Sequence, residues 1–251
     1  MGLIAERIKY ELLGFSQRAS SKLNKRQAML AEEVKENGYA YFPNFIDEHK
    51  LNSLVEIIRL HFSESREEFL YKGDTRHYGI ESTVPQVSFF SSDAQLLDIG
   101  SKVMSRQLIN LFTLGNYLIA GNQGTSGGGW HRDSTHPQFK AMLYLTDVTE
   151  LNGPLEIIPG THKFSNLLRL NRKGFLPYNQ QWLTESEITA IENEHGNRVA
   201  VTGKAGSLIL FESSTLHRGR PIEYGERLAL TNYYYPKSSN HQQILKNFGV
   251  V

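Results

Sequence analysis

The sequence predicts an α+β domain with a mainly β core. Apolar residues recur at helical spacing through most of the chain up to about residue 110, and short apolar or alternating runs follow. Gly, Pro and Asn separate those later runs, as they do between antiparallel strands. There is no internal repeat, and 251 residues are enough to bury a sizeable core. Helices followed by antiparallel strands indicate a sheet that closes as a sandwich or barrel.

The first part of the chain is predicted to be mostly helical. Asn37-Gly38 is a helix stop signal, and Asp47 is suited to cap the helix that follows it. A short strand is expected between these two signals, at 39–42. Residues 71–83 have no apolar period and are expected to form a loop. The expected helices are 3–13, 24–36, one beginning after Asp47, and 93–110.

Strands punctuated by turns are predicted from residue 111 onward. The run FKAMLYLT at 139–146 alternates and is expected to be half buried. A polar insert at 163–196 is expected to contain one helix, 185–194, and residues 121–129 form a Gly-rich connection. The other expected strands are 111–120, the short apolar run 155–158, 198–201, 207–211 and 227–235.

Composition excludes several classes of function. A formal net charge of +1 provides no basic face of the kind that nucleic-acid binding requires, so no nucleic-acid partner is expected. The absence of cysteine excludes disulfides, thiolate zinc sites and a cysteine nucleophile, and it fits a reducing cytoplasm. No apolar run approaches the roughly 20 residues of a membrane span, so no membrane association is expected. The oligomeric state stays open.

The most informative stretch is GGGWHRDS at 127–134. His131 and Asp133 lie two residues apart, so in an extended segment both side chains project to the same side. An imidazole and a carboxylate held side by side can supply two of the three protein ligands of a non-haem iron centre. By itself His-x-Asp is weak evidence, because such a pair also occurs in surface turns.

A third ligand is available at His217. It follows the apolar run GSLILF at 206–211, so it is expected near the end of a buried strand, at the mouth of the sheet. Two histidines and one carboxylate form the facial triad of non-haem iron oxygenases, which leaves three metal positions open. Arg227 opens the next strand, and an Arg fork pairs bidentately with a carboxylate such as that of a dicarboxylic co-substrate.

These motifs resemble the phytanoyl-CoA hydroxylase-like family of Fe(II)- and 2-oxoglutarate-dependent dioxygenases. WHRDS at 130–134 is similar to the family's His-x-Asp motif, and LNGPLEIIPGTHK at 151–163 resembles its Gly-Pro-Leu turn and Pro-Gly-Ser-His stretch. GSLILF with His217 resembles the strand of the distal histidine, and Arg227 falls at the spacing of the co-substrate arginine. Many relatives carry Ser or Thr two residues after the distal histidine, where this chain has Gly219. The likeness covers about residues 38–236.

The resemblance implies a fold and a set of site residues. The fold is a double-stranded β-helix, a jelly roll of the cupin type, with N-terminal and flanking helices. Iron is expected at His131, Asp133 and His217, which are also the catalytic residues, and 2-oxoglutarate is expected at Arg227 with further contacts from Asn122 and Tyr144. Residues 1–251 are expected to form a single domain, comprising a helical extension (1–37), a catalytic core (38–236) with the insert, and a tail (237–251).

The implied activity is oxidation of a small soluble metabolite with O2 as the oxidant. The resemblance implies hydroxylation of a C–H bond with release of succinate and CO2. Related halogenases have a small residue in place of the carboxylate ligand, so Asp133 favours hydroxylation over halogenation. Desaturation, epimerisation and cyclisation at the same site stay open, as does the identity of the substrate.

Two other classes of function stay open from the residues alone. A zinc-dependent hydrolase uses a similar set of two histidines and a carboxylate, but it has no use for Arg227 or for the 151–163 stretch. A catalytically silent β-helix that binds or senses a ligand would keep the fold and lose turnover. Succinate release under air separates an active dioxygenase from both.

Several polar residues outside the triad are ambiguous in the sequence. Arg76, His77 and Tyr78 are either substrate contacts or an ordinary solvated loop. Trp130 is either a core residue or a wall of the substrate site, and His162 is expected to make a structural hydrogen bond. Three arginines close to the ligands in sequence either steer an anionic substrate or are ordinary exposed residues: Arg132, Arg218 and Arg220.

Overall fold

The computed structural model describes residues 5, 7–8, 23–65, 70–71, 74–121 and 129–250. Most of the helix expected at 3–13, most of the Gly-rich connection at 121–129, and the candidate contact Asn122 lie outside these residues. Within them, no helix is long and apolar enough to cross a membrane.

Seven helices are assigned in the described part of the chain from residue 23 onward. The first of them, α1 (Lys25–Asn37), shows why the helix expected at 24–36 could be predicted. Asn24 and Gln27 form a reciprocal capping box at its start, and Gly38, with φ 87°, ends it in the left-handed region. Two 3-10 turns, Ile80–Ser82 and Pro85–Val87, precede α3. The helices are α1 Lys25–Asn37, α2 Glu48–Ser65, α3 Ser88–Ser91, α4 Ala94–Met104, α5 Phe164–Arg172, α6 Glu185–His195 and α7 His241–Asn247.

The strands form two antiparallel sheets. The strands are β1 Tyr39–Phe42, β2 Leu70–Tyr71, β3 Asp74–Tyr78, β4 Leu108–Ile119, β5 Trp130–His131, β6 Phe139–Tyr144, β7 Leu155–Ile157, β8 Trp182–Leu183, β9 Val199–Val201, β10 Leu208–Glu212, β11 His217–Gly219 and β12 Glu226–Pro236. The larger sheet has the order β1-β10-β6-β12-β4-β3-β2, and the smaller has the order β8-β5-β11-β7-β9.

The two faces of the larger sheet bury different cores. Its outer face packs against α1, α2 and α4 through residues such as Ala141, Leu210 and Leu230. Its inner face packs against the smaller sheet, where Ile209 and the neighbouring inward residues meet those of β7 and β9. Alternate residues along β6, β10 and β12 serve the two cores, as strand geometry requires. This arrangement confirms the predicted double-stranded β-helix with helices packed outside.

The prediction of a loop at 71–83 was wrong. Residues 71 and 74–78 are strand, where β2 pairs with β3 and β3 pairs with β4 to extend the larger sheet, and 80–82 form a 3-10 turn. The apolar period is absent because β3 buries polar side chains, with Asp74 and Thr75 almost inaccessible and Arg76 and Tyr78 facing a pocket. A strand whose inner face lines a polar site does not show the hydrophobic alternation on which sequence recognition depends.

Two helix predictions also need correction. The helix expected at 93–110 ends at Met104, because Ser105 takes a left-handed conformation (φ 52°) and β4 begins at Leu108. The apolar run after 107 fits a helix or a buried strand equally well, so periodicity alone did not separate them. The insert contains two helices instead of one. Helix α5 was missed because Lys163, at its N-cap position, makes no side-chain capping bond.

A pair of histidines joins α2 to the outer face of β3. His61 Nε2 lies 2.8 Å from His77 Nδ1, and the two rings stack at 4.9 Å. His77 therefore faces the helix and not the pocket that its neighbours Arg76 and Tyr78 line. Burial, the larger cause, and the nearby His61 lower the pKa of His77 to about 4.

Acidification is expected to destabilise the protein through His77. The unfolded chain takes up a proton on this residue below pH 6.5 and the folded protein only below about pH 4, so the free energy of unfolding falls as pH falls through that window. At pH 5 the free energy of unfolding is lower on account of His77 by at most about 2 kcal/mol, and solvent screening reduces this difference. Urea unfolding of wild type and His77→Gln at pH 7 and pH 5 measures it. The variant should lose less stability than wild type, and equal losses would contradict the assignment.

Candidate metal centre

Three predicted ligands come together at the junction of two short strands. His131 on β5 and His217 on β11 are paired directly opposite each other in the smaller sheet. Asp133 follows β5, and one ligand atom from each of the three residues lies within 4.8 Å of the others. The pairing of β5 with β11 is what brings a local His-x-Asp motif together with a histidine far along the chain. Among the described residues this is the one such group of three or more.

Both imidazoles are oriented by backbone carbonyl groups. His131 Nδ1 donates to the carbonyl of Gly129 at 2.7 Å, and His217 Nδ1 donates to that of Thr215 at 2.8 Å. A proton on Nδ1 leaves the lone pair on Nε2, the nitrogen that faces Asp133. The Nε2 atoms lie 3.5 Å and 3.9 Å from the carboxylate oxygens of Asp133. The three side chains therefore present their donor atoms to a common point.

The charges of the site suit a cation at that point. Burial, the main cause, and the neighbouring His131 lower the pKa of His217 to about 3, so this imidazole is neutral at pH 7. Burial alone would raise the pKa of Asp133, but Lys140 and the two histidines hold it well below its usual range. Neutral imidazoles and an ionised carboxylate are the protonation states in which these side chains bind a metal.

The ligands lie in a pocket of about 510 Å³ between the two sheets. Its walls come from β3, β6, β12 and the insert strand β8. One side is closed by Ile244 and Asn247 of helix α7 and by Phe248, which follows the helix. The predicted tail therefore contributes a wall of the site. Trp182 of β8 stacks on the His131 ring at 4.8 Å while remaining 57% exposed. The size of the pocket suits a small organic molecule.

The predicted co-substrate arginine lies in the wall of this pocket. Arg227 is buried; its Nη1 donates to the carbonyl of Gly153, and its Nη2 donates to Asn116 Oδ1 at 2.8 Å. Its Nε has no hydrogen-bond partner among the described residues. A guanidinium has five N–H donors, so three remain for a bound carboxylate. Asn116 is marked in the sequence only by being a polar amide in the middle of a strand pattern.

Tyr144 lies on the inner face of β6 but is not among the residues that line the pocket. Its hydroxyl donates to the carbonyl of Val201 and accepts from the backbone N–H of Leu155, both at 3.0 Å. The phenol thus joins the two sheets behind the pocket wall. A role for Tyr144 in binding co-substrate stays a prediction.

Arg132 and Trp130, which flank His131, hold the insert. The Arg132 guanidinium donates to the carbonyls of Gln180 and Tyr178, both at 2.7 Å, and to that of Pro177 at 3.0 Å. Trp130 is buried in the apolar core of the insert and donates from its indole N–H to Glu185 at 3.1 Å. Both side chains are used to attach the insert to β5, the strand that carries His131, so Trp130 belongs to the core.

Arg218 and Arg220 form ion pairs outside the pocket. Arg218 pairs with Glu156 and Glu185, at 2.6 Å and 2.8 Å, and Arg220 pairs with Glu150 at 2.6 Å. Neither arginine lines the pocket. Arg218 is adjacent to His217 along β11, so its side chain points to the opposite face of the sheet. The pairing of both arginines with carboxylates argues against a role for them in steering an anionic substrate. His162, as expected, makes a structural hydrogen bond, to the carbonyl of Lys35 at 3.0 Å.

Sequence comparison finds curated relatives that are ectoine dioxygenases. A chain described as ectoine dioxygenase from Bordetella parapertussis is 30% identical over 96 residues, which are 35% of this chain and 31% of that protein. A second ectoine dioxygenase, from Sphingopyxis alaskensis, is 26% identical over 160 residues, 56% of this chain and 50% of the relative. The chain therefore spans about a third to a half of the length of these curated relatives.

Comparison with solved structures agrees with the fold. The structure of EctD from S. alaskensis with 2-oxoglutarate and 5-hydroxyectoine aligns with a TM-score of 0.67 at 18% identity, covering 88% of this chain and 80% of that one. The epimerase SnoN, in complex with Fe3+, α-ketoglutarate and a nogalamycin compound, aligns with a TM-score of 0.64 at 15% identity and 84% coverage of both chains. The profile of the phytanoyl-CoA dioxygenase (PhyH) family matches residues 34–223, and this chain belongs to that family.

Proposed function

We propose that this protein is a non-haem Fe(II)- and 2-oxoglutarate-dependent dioxygenase that hydroxylates a C–H bond of a small molecule, releasing succinate and CO2. The observation that carries the proposal is the convergence of two imidazole Nε2 atoms and one carboxylate in a pocket whose wall contains a buried arginine. Membership of the PhyH family supports it.

The donor set fits Fe(II). Two neutral imidazoles and one carboxylate make a facial triad, in which the protein occupies three metal positions and leaves three for co-substrate and dioxygen. The carbonyls of Gly129 and Thr215 fix the ring orientations before any metal arrives, so little reorganisation is needed on binding. His131, Asp133 and His217 are therefore our proposed metal ligands.

The wall of the pocket fits 2-oxoglutarate. Arg227 presents its remaining N–H donors toward a carboxylate, and its contacts with Gly153 and Asn116 hold the guanidinium in place. Gly219 also lines the pocket and brings no hydroxyl group, so Arg227 has a larger share of co-substrate recognition than in relatives with Ser or Thr there. Arg227 is our proposed anchor for the distal carboxylate.

Iron and 2-oxoglutarate, when bound, supply the oxidising chemistry, and the protein supplies geometry and a protected site. The aromatic side chains of Tyr78, Tyr233 and Phe248 form an apolar side of the pocket suited to hold the body of a substrate. We infer hydroxylation over halogenation because Asp133 fills the position of the carboxylate ligand. Ectoine is a rational first substrate to test, since the curated relatives are ectoine dioxygenases.

The test is an anaerobic titration of the protein with Fe(II) and 2-oxoglutarate, followed by admission of air. We expect a weak visible charge-transfer band from the 2-oxoglutarate–iron chelate, and then succinate release that depends on both iron and co-substrate. Absence of the band would exclude the dioxygenase and favour a zinc hydrolase on the same triad. A band without succinate in a screen of small metabolites would identify a silent binding protein.

A further inference from the structure

Lys140 is a buried cation inside the metal pocket. It lies on β6 beside Phe139 and Ala141, which face the helices, so its own side chain points inward and lines the pocket. Only 5% of the side chain is exposed. A lysine ammonium is rarely buried to this extent unless it is paired, since removing it from water costs several kcal/mol in effective terms.

Two contacts fix the ammonium group. Lys140 Nζ lies 2.6 Å from Asp133 Oδ2 and 3.9 Å from the centre of the Tyr233 ring. Tyr233 on β12 is directly opposite Lys140 in the sheet register, so the strand pairing itself places the ring under the cation. The larger sheet thereby holds a positive charge against a carboxylate that directly follows β5 of the smaller sheet.

The two oxygens of Asp133 are consequently different. Oδ2 contacts the Lys140 ammonium at 2.6 Å and lies 3.9 Å from His217 Nε2, whereas Oδ1 faces His131 Nε2 at 3.5 Å. A carboxylate can bind a metal through one oxygen or through both. If both oxygens bound, the protein would fill four positions, and a bidentate co-substrate would leave none for dioxygen.

We propose that Lys140 is a positioning residue that occupies Asp133 Oδ2 and so keeps this ligand monodentate, which preserves the positions needed by co-substrate and dioxygen. The inference rests on the proposed function of the site. It assigns to β6 a role in reactivity that the metal-binding motif itself does not contain.

The proposal predicts that removal of Lys140 weakens the binding of co-substrate but not the binding of metal. Lys140 repels a divalent cation, so its removal should leave metal affinity unchanged or raise it. Removal also frees Oδ2 to enter the coordination sphere, where it competes with 2-oxoglutarate. A merely structural lysine would behave differently, because loosening of the pocket weakens both ligands together.

The experiment compares wild type, Lys140→Met and Lys140→Arg under anaerobic conditions. Co(II) is titrated first, by calorimetry and by its visible absorption, whose intensity reports coordination number. 2-Oxoglutarate is titrated second, onto the Co(II)-loaded proteins. We expect Lys140→Met to bind Co(II) at least as tightly as wild type and 2-oxoglutarate about tenfold more weakly, the size typical of substitutions next to a metal ligand. Lys140→Arg, which keeps the charge, should fall between them.

Arg132→Met is the matched control, because it removes a buried cation adjacent to Asp133 that contacts backbone carbonyls of the insert. Arg132→Met should lower thermal stability, and any change in its Co(II) affinity should be accompanied by a change of its 2-oxoglutarate affinity in the same direction. Should Lys140→Met fail to fold, Lys140→Arg and Lys140→Gln keep a polar group at the position. Their affinities for Co(II) and 2-oxoglutarate are then compared with those of wild type in the same way.

Unchanged 2-oxoglutarate affinity and an unchanged Co(II) spectrum in Lys140→Met would overturn the proposal, as would a parallel loss of both affinities. These outcomes are distinct from failure of the proposed function. A wild type that forms no charge-transfer band with Fe(II) and 2-oxoglutarate fails as a dioxygenase whatever the variants do. A wild type that forms the band, with Lys140→Met identical to it, refutes only the role of Lys140.

Discussion

His131→Ala is expected to abolish binding of Fe(II) at concentrations that saturate wild type. The variant keeps two of the three proposed protein ligands, and it also lacks the ring on which Trp182 stacks. Loss of a direct ligand should exceed the roughly 10- to 100-fold effect that substitutions of outer-shell residues have on metal sites. Calorimetric titration with Fe(II) under anaerobic conditions measures the affinity, and the charge-transfer band should be absent in the same sample.

A second readout is independent of activity. Metal that binds only the folded state raises its thermal stability, so wild type should show a melting temperature that increases with Fe(II) and His131→Ala should not. His162→Ala is the matched control: it removes a buried histidine whose bond to the carbonyl of Lys35 is structural. That variant should melt earlier but keep its metal-dependent increase. A normal response to Fe(II) in His131→Ala would remove this residue from the ligand set.

The proposed metal ligands were predictable because their chemistry is local in the sequence. His131 and Asp133 are fixed on one side by the two-residue spacing, and His217 by its place after a buried strand. Their mutual distances were not predictable, since these depend on the pairing of β5 with β11 across 85 intervening residues. Family resemblance supplied that long-range information, and the structure confirms the fold that it implied.

Lys140 shows what local patterns leave undetermined. The alternation of FKAMLYLT at 139–146 correctly separates the face of Phe139 and Ala141 from that of Lys140 and Met142. A polar residue in such a strand usually faces solvent, but here that face lines the pocket. Which side of a strand meets water is a tertiary property, so the contact with Asp133 could not be inferred from the alternation.

The same limit explains why β3 was predicted as a loop and why no helix was predicted in the tail, where α7 lies. Arg76 and Tyr78 belong to a strand that is polar because it lines the pocket, and its polar character therefore resembled a loop. Helix α7 is short and buries none of its residues fully, so no apolar stripe marked it, although Phe248 just beyond it packs on Tyr78 and Phe112. Site walls are thus the least predictable part of this chain.

Arg227→Met is expected to keep Fe(II) binding and to raise the dissociation constant of 2-oxoglutarate by about 100-fold. The physical reason is the loss of a buried guanidinium that would pair with the distal carboxylate, since hydrogen bonds to charged groups are worth roughly 1.5–3 kcal/mol each. The measurement is titration of 2-oxoglutarate into the Fe(II)-loaded protein, followed through the charge-transfer band. Arg227→Lys keeps the charge without the fork, so its affinity should lie between those of Met and wild type.

Arg227 also has a structural role, so the experiment must separate its effect on stability from its effect on co-substrate binding. Its bonds to the carbonyl of Gly153 and to Asn116 are buried, so Arg227→Met should lower thermal stability as well. Asn116→Ala removes one of those bonds while keeping the guanidinium, and Arg220→Met removes an arginine that pairs with Glu150 outside the pocket. If weakened co-substrate binding reflected stability alone, Asn116→Ala would reproduce it in proportion to its own loss of stability. If Arg227→Met binds 2-oxoglutarate as wild type does, Arg76, which also lines the pocket, becomes the arginine to test.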